Sequence, residues 1–382
     1  MTANHVGARR PLRIGIFIAL LPPEHQGGAE LQADRMAREL AARGHEVHVF
    51  ARRQPGGAAR EDRAGVRVHR RAVVPVPGLR LAAEVILGAA QAARRKPDVL
   101  LCYITMNSGL LGAAASRLCG APFAVWQRQR GESLVSAGRF ERRIAVAIFE
   151  RAAGLWVQTE SFARTVEAEL ARAGRRSTWE RLSPRVRVLG NGIDLPSNGT
   201  PEPPAAPPRF LFVGRLVGEK DLPTLVTAMR RLDGAELWLA GDGPLRSDLE
   251  SMAAGAPVRF LGEVSHARVP DLLRESRALV LCSSVEGVPN VVLEALAHAR
   301  PVIATPVGAI PELVQDGVNG RLVPVGDAEA LAAAMRDLLD DATWRALAGA
   351  ARPSVEKFSW PRLVDEVESE LEALVRDSRR RT

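Results

Sequence analysis

Two glutamates, Glu286 and Glu294, stand eight residues apart in "SSVEGVPNVVLEA" (283–295), across a Gly-x-Pro turn. An ionised carboxylate only accepts hydrogen bonds and can receive two hydroxyls, so such a pair suits vicinal diols. The apolar run "ALVLC" leads into the stretch, and the helical pattern "NVVLEALAHA" leads out. Ligands of open α/β sheets sit outside the carboxyl ends of strands, where Gly287, Val288, Pro289 and Asn290 fall. Asn290 reads as the helix N-cap, and the free N–H groups there favour an anion such as phosphate. One carboxylate can take a ribose and the other a second sugar, with a diphosphate between them. Read singly, each glutamate is equally well a solvated surface charge.

Other residues of the carboxyl-terminal half shift that balance. "FVGRLVGEKDLPTLV" sets Arg215 and Lys220 just past the strand pattern "RFLFV". A planar cation beside a point cation suits the oxygens of a diphosphate. Lys220 is one of only three lysines, with Lys96 and Lys357. "LAGDGPLRSDLE" repeats the strand–glycine–helix form at Gly241 and Gly243, where bare backbone admits a ligand. "ATPVGAIPELV" adds Gly308 before another helix start. In the amino-terminal half, "QGGAELQ" puts Gly27 and Gly28 between a strand and a helix, able to present N–H groups to phosphate or sugar. His25 beside that loop is a further candidate, whereas His45 in "RGHEVHVF" reads as a structural turn residue.

Apolar runs of strand length alternate with helical patterns along both halves. "LRIGIFIA", "EVHVFA", "VRVHRRAV", "DVLLCYI", "PFAVWQ", "GLWVQT" and "VRVLGN" read as strands of the first. "RFLFVGR", "AELWLAG", "VRFLGE", "ALVLCSS" and "PVIAT" read as strands of the second. Continuous apolar strands separated by helices predict parallel α/β sheets covered on both faces. The proline-rich stretch "PSNGTPEPPAAPPR" (196–209) holds neither helix nor central strand, which makes 196–208 the expected linker. The expected organisation is a first domain over 1–195, a second over 209–357 and a final helical segment, 358–382. Two doubly wound, Rossmann-like domains facing across a cleft is the predicted architecture.

The 382 residues suffice for two domains, and 46% hydrophobic with 25% charged residues is a soluble globular composition. No apolar run approaches the roughly 20 residues of a membrane-spanning helix. Cys102, Cys119 and Cys282 show no CxxC spacing and read as reduced, buried thiols of a cytoplasmic protein. The net charge of +8 is divided: residues 1–190 hold 31 Lys/Arg against 16 Asp/Glu, and 191–382 hold 21 against 28. The basic half predicts a polyanionic partner surface. Arginines mixed with Phe140, Phe149, Trp156 and Trp179 over 139–187 point to an anionic membrane. Aromatics, at 4%, are too few for the stacking platforms of nucleic-acid readout. No His/Asp/Cys cluster has metal-ligand spacing, so neither metal nor other cofactor is expected, and Gly-x-Ser-x-Gly and P-loop motifs are absent.

Glu-Gly-x-Pro-x-x-x-x-Glu-Ala, Gly-Arg-Leu-x-x-x-Lys-Asp, Gly-x-Gly-Pro-Leu, Asn-Gly-Ile-Asp (191–194) and Gly-Gly-x-Glu together resemble glycosyltransferase family 4. The likeness spans about residues 12–370. It implies the GT-B fold and retaining transfer from a nucleotide-sugar donor, UDP being the expected carrier, to a glycan or lipid-linked acceptor. By that resemblance Glu286 binds donor-sugar hydroxyls and Glu294 the ribose. Arg215 and Lys220 neutralise the diphosphate, the Gly27–Gly28 loop closes over it, and the base lies near Val264 in "FLGEVS". The final helix is implied to cross back onto the first domain.

One departure concerns a histidine that many members carry after a first-domain strand. "PFAVWQRQRGES" has none and offers Arg128, Arg130 and Glu132, Arg130 being the candidate for that place. Another GT-B enzyme, such as a nucleotide-sugar epimerase or a phosphorylase, or a non-catalytic basic adaptor keeping the fold, are the alternatives. Peripheral attachment to the inner face of the plasma membrane would follow from a lipid-linked acceptor.

Overall fold

The computed structural model describes residues 10–22, 28–54, 56–71, 80–104, 106–128, 138–196, 201–204 and 207–380. The chain divides into two compact units, Met1–Gly190 with Pro361–Thr382, and Asn191–Trp360. Each is a sheet with helices, as the alternation of apolar runs and helical patterns requires.

The first unit carries β1 (Arg13–Phe17), β2 (Glu46–Arg52), β3 (Arg60–Arg63), β4 (Val66–Arg71), β5 (Val99–Tyr103), β6 (Phe123–Gln127), β7 (Gly154–Val157) and β8 (Val186–Val188). Their order across the sheet is β3-β4-β2-β1-β5-β6-β7-β8. All neighbours are parallel except β3 with β4. The sequence reading missed β3, "REDR", because it is a polar, partly exposed edge with no apolar alternation. Every residue of β5, β6 and β7 is buried, hence their unbroken apolar runs. Strand order reverses between β1 and β5, which makes their carboxyl ends the switch point of this sheet.

The helix Trp360–Arg379 belongs to this unit from Pro361 onward. Leu363, Val364, Val367, Leu371 and Val375 are buried at helical spacing. Its acidic face meets basic residues. Arg43 Nη1 donates to Asp365 Oδ1 at 2.6 Å and to Glu368 Oε2 at 2.8 Å, and Arg187 Nε donates to Glu370 Oε1 at 2.8 Å. His45 is structural here: its Nδ1 accepts from the Leu12 N–H at 3.1 Å, so Nε2 carries the proton toward Glu368 Oε1 at 2.9 Å.

The second unit holds β9 (Arg209–Val213), β10 (Glu236–Ala240), β11 (Val258–Gly262), β12 (Ala278–Leu281), β13 (Val302–Ala304) and β14 (Gly320–Leu322). They form one parallel sheet in the order β11-β10-β9-β12-β13-β14. The switch point therefore lies between the central strands β9 and β12.

The division between units falls at 190/191, not at 195. Asn191–Asp194 go with the second unit because Ile193 N–H bonds to Phe358 O at 2.9 Å, and Trp360 N–H to Ile193 O at 3.1 Å. Gly192 is required beside them, since a β-carbon there would lie 2.5 Å from the Trp360 ring. The described part of the proline-rich stretch is held too. Arg352 bonds Pro196 O, and Arg300 and Arg345 reach Glu202. Cys102, Cys119 and Cys282 are all free thiols. Among the described residues no helix is long and apolar enough to cross a membrane.

Candidate active site

The strands β9 and β12 deliver the two loops that flank the switch point of the second sheet. After β9 the chain turns through Gly214 and Arg215 into a short 3-10 turn, Gly218–Lys220. Asp221 closes that turn with φ 45°, a left-handed conformation that aspartate tolerates. After β12 it runs through Cys282–Pro289 into the helix Asn290–Ala297. The loops are stitched together away from their tips. Ser284 N–H bonds to Glu219 O at 2.9 Å, and Cys282 Sγ donates to Lys220 O and Asp221 O.

This stitching brings Lys220 onto Glu286. Lys220 Nζ donates to Glu286 Oε1 at 2.5 Å, and Ser283 Oγ donates to the same oxygen at 2.6 Å. Ser283 is fully buried, and its own carbonyl accepts from Thr305 Oγ1 at 2.5 Å. Glu286 is 8% exposed and Lys220 21%. A carboxylate sunk this far needs a charge or hydrogen-bond partner, and here it has both on one oxygen. Glu286 Oε2 remains to accept from a hydroxyl. The serine was visible in the sequence as the first residue of the quoted stretch, but nothing in its spacing said that it faced inward.

Glu294 sits one turn into the helix with its side chain 23% exposed, and His266 Nε2 stands 3.9 Å from its Oε1. Burial pushes its carboxyl above the ordinary carboxylate range, His266 opposing that rise and Asp194 adding to it. Asn290 is not the cap that its sequence position suggested. Pro289 is the N-cap residue, without a side-chain bond, and Asn290 is the first helical residue. Its Oδ1 instead accepts from Asn191 Nδ2 at 2.5 Å. The Asn-Gly-Ile-Asp motif is thereby fastened to the start of this helix.

The Arg215 side chain is exposed and has no hydrogen-bond or ion-pair partner among the described residues, while its carbonyl accepts from the Val217 N–H at 3.0 Å. Gly287 faces open space, whereas Gly241 and Gly243 have a packing reason that the sequence did not reveal. A β-carbon on Gly241 would lie 1.9 Å from Gly214 O, and one on Gly243 2.5 Å from Leu216 O. These two glycines let the β10 loop press on the Arg215 loop, where Leu216 N–H bonds to Asp242 O at 2.9 Å. Gly308 works likewise. At φ 60° its absent β-carbon would meet Glu286 O at 2.2 Å, and Ala309 N–H bonds to Gly287 O at 3.0 Å. Val264 follows β11 and is half-buried against the core.

In the first unit, Gly28 opens the helix Gly28–Ala42 and is exposed. Gly27, His25, Arg130 and Glu132 lie outside the described residues. Arg128 follows β6 as a buried cation, its guanidinium 4.8 Å from the Trp126 ring centroid and 5.5 Å from that of Tyr103. Burial pulls it down to about 10, against the favourable pull of Tyr103 and Glu30. Among the described residues no three His, Cys, Asp or Glu side chains are grouped to hold a metal ion.

Residues 27–192 match the glycosyl transferase 4-like domain, and residues 207–341 match the glycosyl transferases group 1 model. The chain is 32% identical to the 2-deoxystreptamine N-acetyl-D-glucosaminyltransferase of Streptomyces fradiae, covering 83% of each protein. It is 27% identical to the sulfoquinovosyl transferase SQD2 of Arabidopsis thaliana, over 94% of this chain and 73% of that one. Lipopolysaccharide core biosynthesis glycosyltransferase LpsE of Rhizobium meliloti is 29% identical, over 84% and 87%. In fold, sucrose-phosphate synthase of Thermosynechococcus elongatus superposes with a TM-score of 0.79 at 24% identity, over 96% of this chain and 99% of that one. HepE of Anabaena, solved with UDP and glucose, gives 0.74 at 21%, over 94% and 99%. The motifs, the two parallel sheets and these matches agree: this chain is a glycosyltransferase and belongs to the family 4, group 1 enzymes of GT-B fold.

Proposed function

We propose that the protein transfers a sugar, with retention of configuration, from a nucleotide-diphosphate sugar to a hydroxyl of a glycan or lipid-linked acceptor, without a metal ion. The observation that carries this reading is the Lys220–Glu286–Ser283 cluster at the switch point of the second sheet. Glu286 Oε2 takes a donor-sugar hydroxyl, and Glu294 the ribose. Lys220 keeps two further N–H groups, and with Arg215 it meets the diphosphate. Breaking the anomeric C–O bond puts negative charge on that leaving group while the sugar becomes oxocarbenium-like. Fixed cations then stabilise the transition state more than the ground state. The acceptor attacks from the face the leaving group departs, and a phosphate oxygen takes its proton. HepE bound to UDP-glucose supports UDP as carrier. A GDP-mannose-dependent α-mannosyltransferase of Mycolicibacterium smegmatis, 30% identical, makes GDP the rival.

The test is a panel of UDP-, GDP- and ADP-sugars read by thermal stabilisation. One carrier should raise the melting temperature by several degrees, as mass action requires of a ligand near saturation. A flat response across the panel would sink the donor assignment. Excess EDTA should leave initial rates unchanged, and strict dependence on added Mg²⁺ or Mn²⁺ would contradict the clamp.

The lipopolysaccharide relative supports a lipid-linked acceptor, and with it an anionic membrane surface as partner. Phe149 and Trp156 are core residues and offer a membrane nothing. The basic content holds a different feature, an open groove of about 610 Å³ lined by Arg142, Arg143 and Arg175. Basic residues at an anionic surface contribute roughly 1 kcal/mol each, and the contribution fades within a Debye length. Vesicles with anionic lipid should therefore pellet the protein at low salt and release it at high salt. Changing Arg142, Arg143, Arg175 and Arg176 to Glu should abolish pelleting. Absence of pelleting at low salt would direct the search to a water-soluble acceptor.

A further inference from the structure

A helix on the surface of a soluble fold turns its large apolar side chains inward and its charges outward. The helix Gly28–Ala42 obeys this: Met36 and Leu40 are buried, while Arg35 pairs with Glu39 and Arg38 with Asp34. The helix Arg80–Ala93 reverses it. Its buried residues are small, Gly88, Ala89 and Ala92. A β-carbon on Gly88 would strike Leu111 and the Arg71 guanidinium, so only glycine seats the helix on these neighbours. Glu84 turns toward the fold as well. Arg52 Nη2 donates to its Oε2 at 2.8 Å, and Arg71 Nη1 to its carbonyl at 3.1 Å. Ala83, Ile86, Leu87 and Ala90, spaced i, i+3, i+4 and i+7, form a stripe on the other side that carries no charge. Ile86 is 65% exposed and Leu87 53%.

This stripe has a basic border. Arg94, Arg95 and Lys96 follow the helix, all exposed, and have no carboxylate partner among the described residues. The neighbouring helix is Met106–Cys119. One links β4 to β5 and the other β5 to β6, all parallel, so both helices run against the strands and end at the same edge. That edge therefore also holds the exposed Arg117 and Leu118, the latter 62% exposed. Among the described residues the exposed leucines and isoleucine are Leu81, Ile86, Leu87 and Leu118, all on these two helices. The other exposed large apolar residues are valines elsewhere. Soluble surfaces rarely gather apolar side chains in this way unless something covers them.

Area and charge choose the cover. The 14 residues of the helix make a strip about 21 Å long and roughly 10 Å wide, on the order of 200 Å². A stable interface takes about 800 Å² from each partner, so a second copy gains too little from this strip. The cations call for an anionic cover, and an apolar stripe bordered by cations is the make-up of a helix that lies in a bilayer interface.

We propose that the helix Arg80–Ala93 is the element that enters an anionic bilayer. Ile86 and Leu87 sink into the acyl boundary, while Arg94, Arg95, Lys96 and Arg117 meet lipid phosphates. The proposal rests on the membrane reading above and names an inserting surface separate from the Arg142 groove. To test it, Ile86→Cys in a Cys119→Ser background carries an NBD label on the full-length chain, Cys102 and Cys282 being buried. Glu39→Cys in the same background is the control. The connections β1 to β2 and β4 to β5 run in opposite directions along the sheet, so right-handed crossovers put their helices on opposite faces. With equimolar phosphatidylcholine and phosphatidylglycerol vesicles at low salt, the label on Ile86→Cys should shift to the blue and be quenched by doxyl-acyl lipid. The label on Glu39→Cys should do neither. In the unlabelled protein, Ile86→Ser with Leu87→Ser should weaken co-sedimentation at least about tenfold, with the melting temperature unchanged because both side chains are exposed. Arg94→Gln with Lys96→Gln should weaken it several-fold. Pelleting with an unmoved label on Ile86→Cys, or with undiminished binding of the serine variant, would overturn this proposal and leave the membrane reading standing. No pelleting of the wild type would overturn both. Self-association of the wild type that the serine variant loses would give the stripe to a second copy and overturn the proposal.

Discussion

Glycines tell the two units apart. In the Asn191–Trp360 unit, Gly241, Gly243, Gly308 and Gly320 each stand where a β-carbon would meet a backbone oxygen within 2.5 Å. In the other unit the tightest glycines, Gly15, Gly88 and Gly112, stand against side chains, Leu100, Leu111 and Cys102. A side chain can be exchanged or turn away, but a backbone carbonyl fixed in a sheet loop cannot. The loops around Glu286 and Lys220 are thus keyed backbone to backbone, and the positions of the two charges follow from that rigidity. In the first unit those glycines fix side chains, not loop backbones, so no comparable backbone key is built there.

The largest test of this contrast is Gly308→Ala. It combines left-handed strain with a collision at Glu286 O, costs of roughly 1–3 kcal/mol each, so about 3 kcal/mol or more of stability should go. Gly112→Ala collides with Cys102 Sγ but gains helix propensity, and should lose about 1–2 kcal/mol. Urea denaturation measures both. The sharper form adds Cys102→Ala, which should recover most of the Gly112→Ala loss because the clash is removable. Equal losses at 308 and 112, or no recovery, would erase the distinction.

Next in size are the charges those loops position. Lys220→Ala strands Glu286 without its cation and, in the proposed clamp, removes a charge-assisted contact to the leaving group. Turnover should fall about a hundredfold, on the order of 3 kcal/mol in the transition state. Arg215→Ala should lose a similar factor with no effect on stability, since the Arg215 side chain has no partner among the described residues to strand. Unchanged turnover in both variants would remove the clamp.

A smaller effect separates the glutamates. Glu294→Ala should weaken free nucleotide and nucleotide sugar alike by about tenfold, or 1.4 kcal/mol. Glu286→Ala should spare the free nucleotide and weaken only the sugar-bearing donor. Calorimetry with both ligands on both variants decides the matter, and equal loss of nucleotide affinity would dissolve the division of roles.

The same contrast explains what the sequence made legible. β9, β12 and their loops were readable because apolar runs end at glycine, proline and charge, each a local signal. Glu286 and Lys220 could be named, but not paired: 66 residues separate them, and only the sheet order β9-β12 brings them together. Ser283 escaped notice because inward direction is set by Thr305 on another strand's loop. Gly241 and Gly243 stand at a close backbone approach that the sequence did not show, since a glycine reports closeness without saying what approaches. Asn290 failed as a cap because Asn191, far away in sequence, holds its side chain. In the first unit β3 had no pattern to read.

The smallest effect probes the first unit alone. His48 and His69 stack in its core with ring centroids 5.2 Å apart, and His48 Nδ1 lies 2.9 Å from His69 Nε2. Burial pushes both below the ordinary imidazole value of 6.5, His69 to about 4. Arg95 adds to the depression of both, with Arg67 acting on His48 and Arg60 on His69, while Glu46 opposes it at His48 and Asp62 at His69. Between pH 6.5 and 4 the unfolded chain therefore binds protons that the folded unit refuses, so stability falls as pH is lowered through that window. Above pH 6.5 the effect vanishes. For His69 the loss at pH 5 amounts to roughly 1–2 kcal/mol, since each tenfold drop in proton affinity is worth about 1.4 kcal/mol. His298, also depressed by burial, belongs to the other unit and adds its own drift, so whole-protein melting cannot apportion the loss. Hydrogen exchange at the β2 and β4 amides reads the first unit directly. Protection there should weaken from pH 7 to pH 5 after correction for intrinsic exchange. His69→Gln, which keeps a polar partner for His48 without titrating, should flatten that dependence. A wild-type dependence that persists undiminished in His69→Gln would show that His69 is not its source.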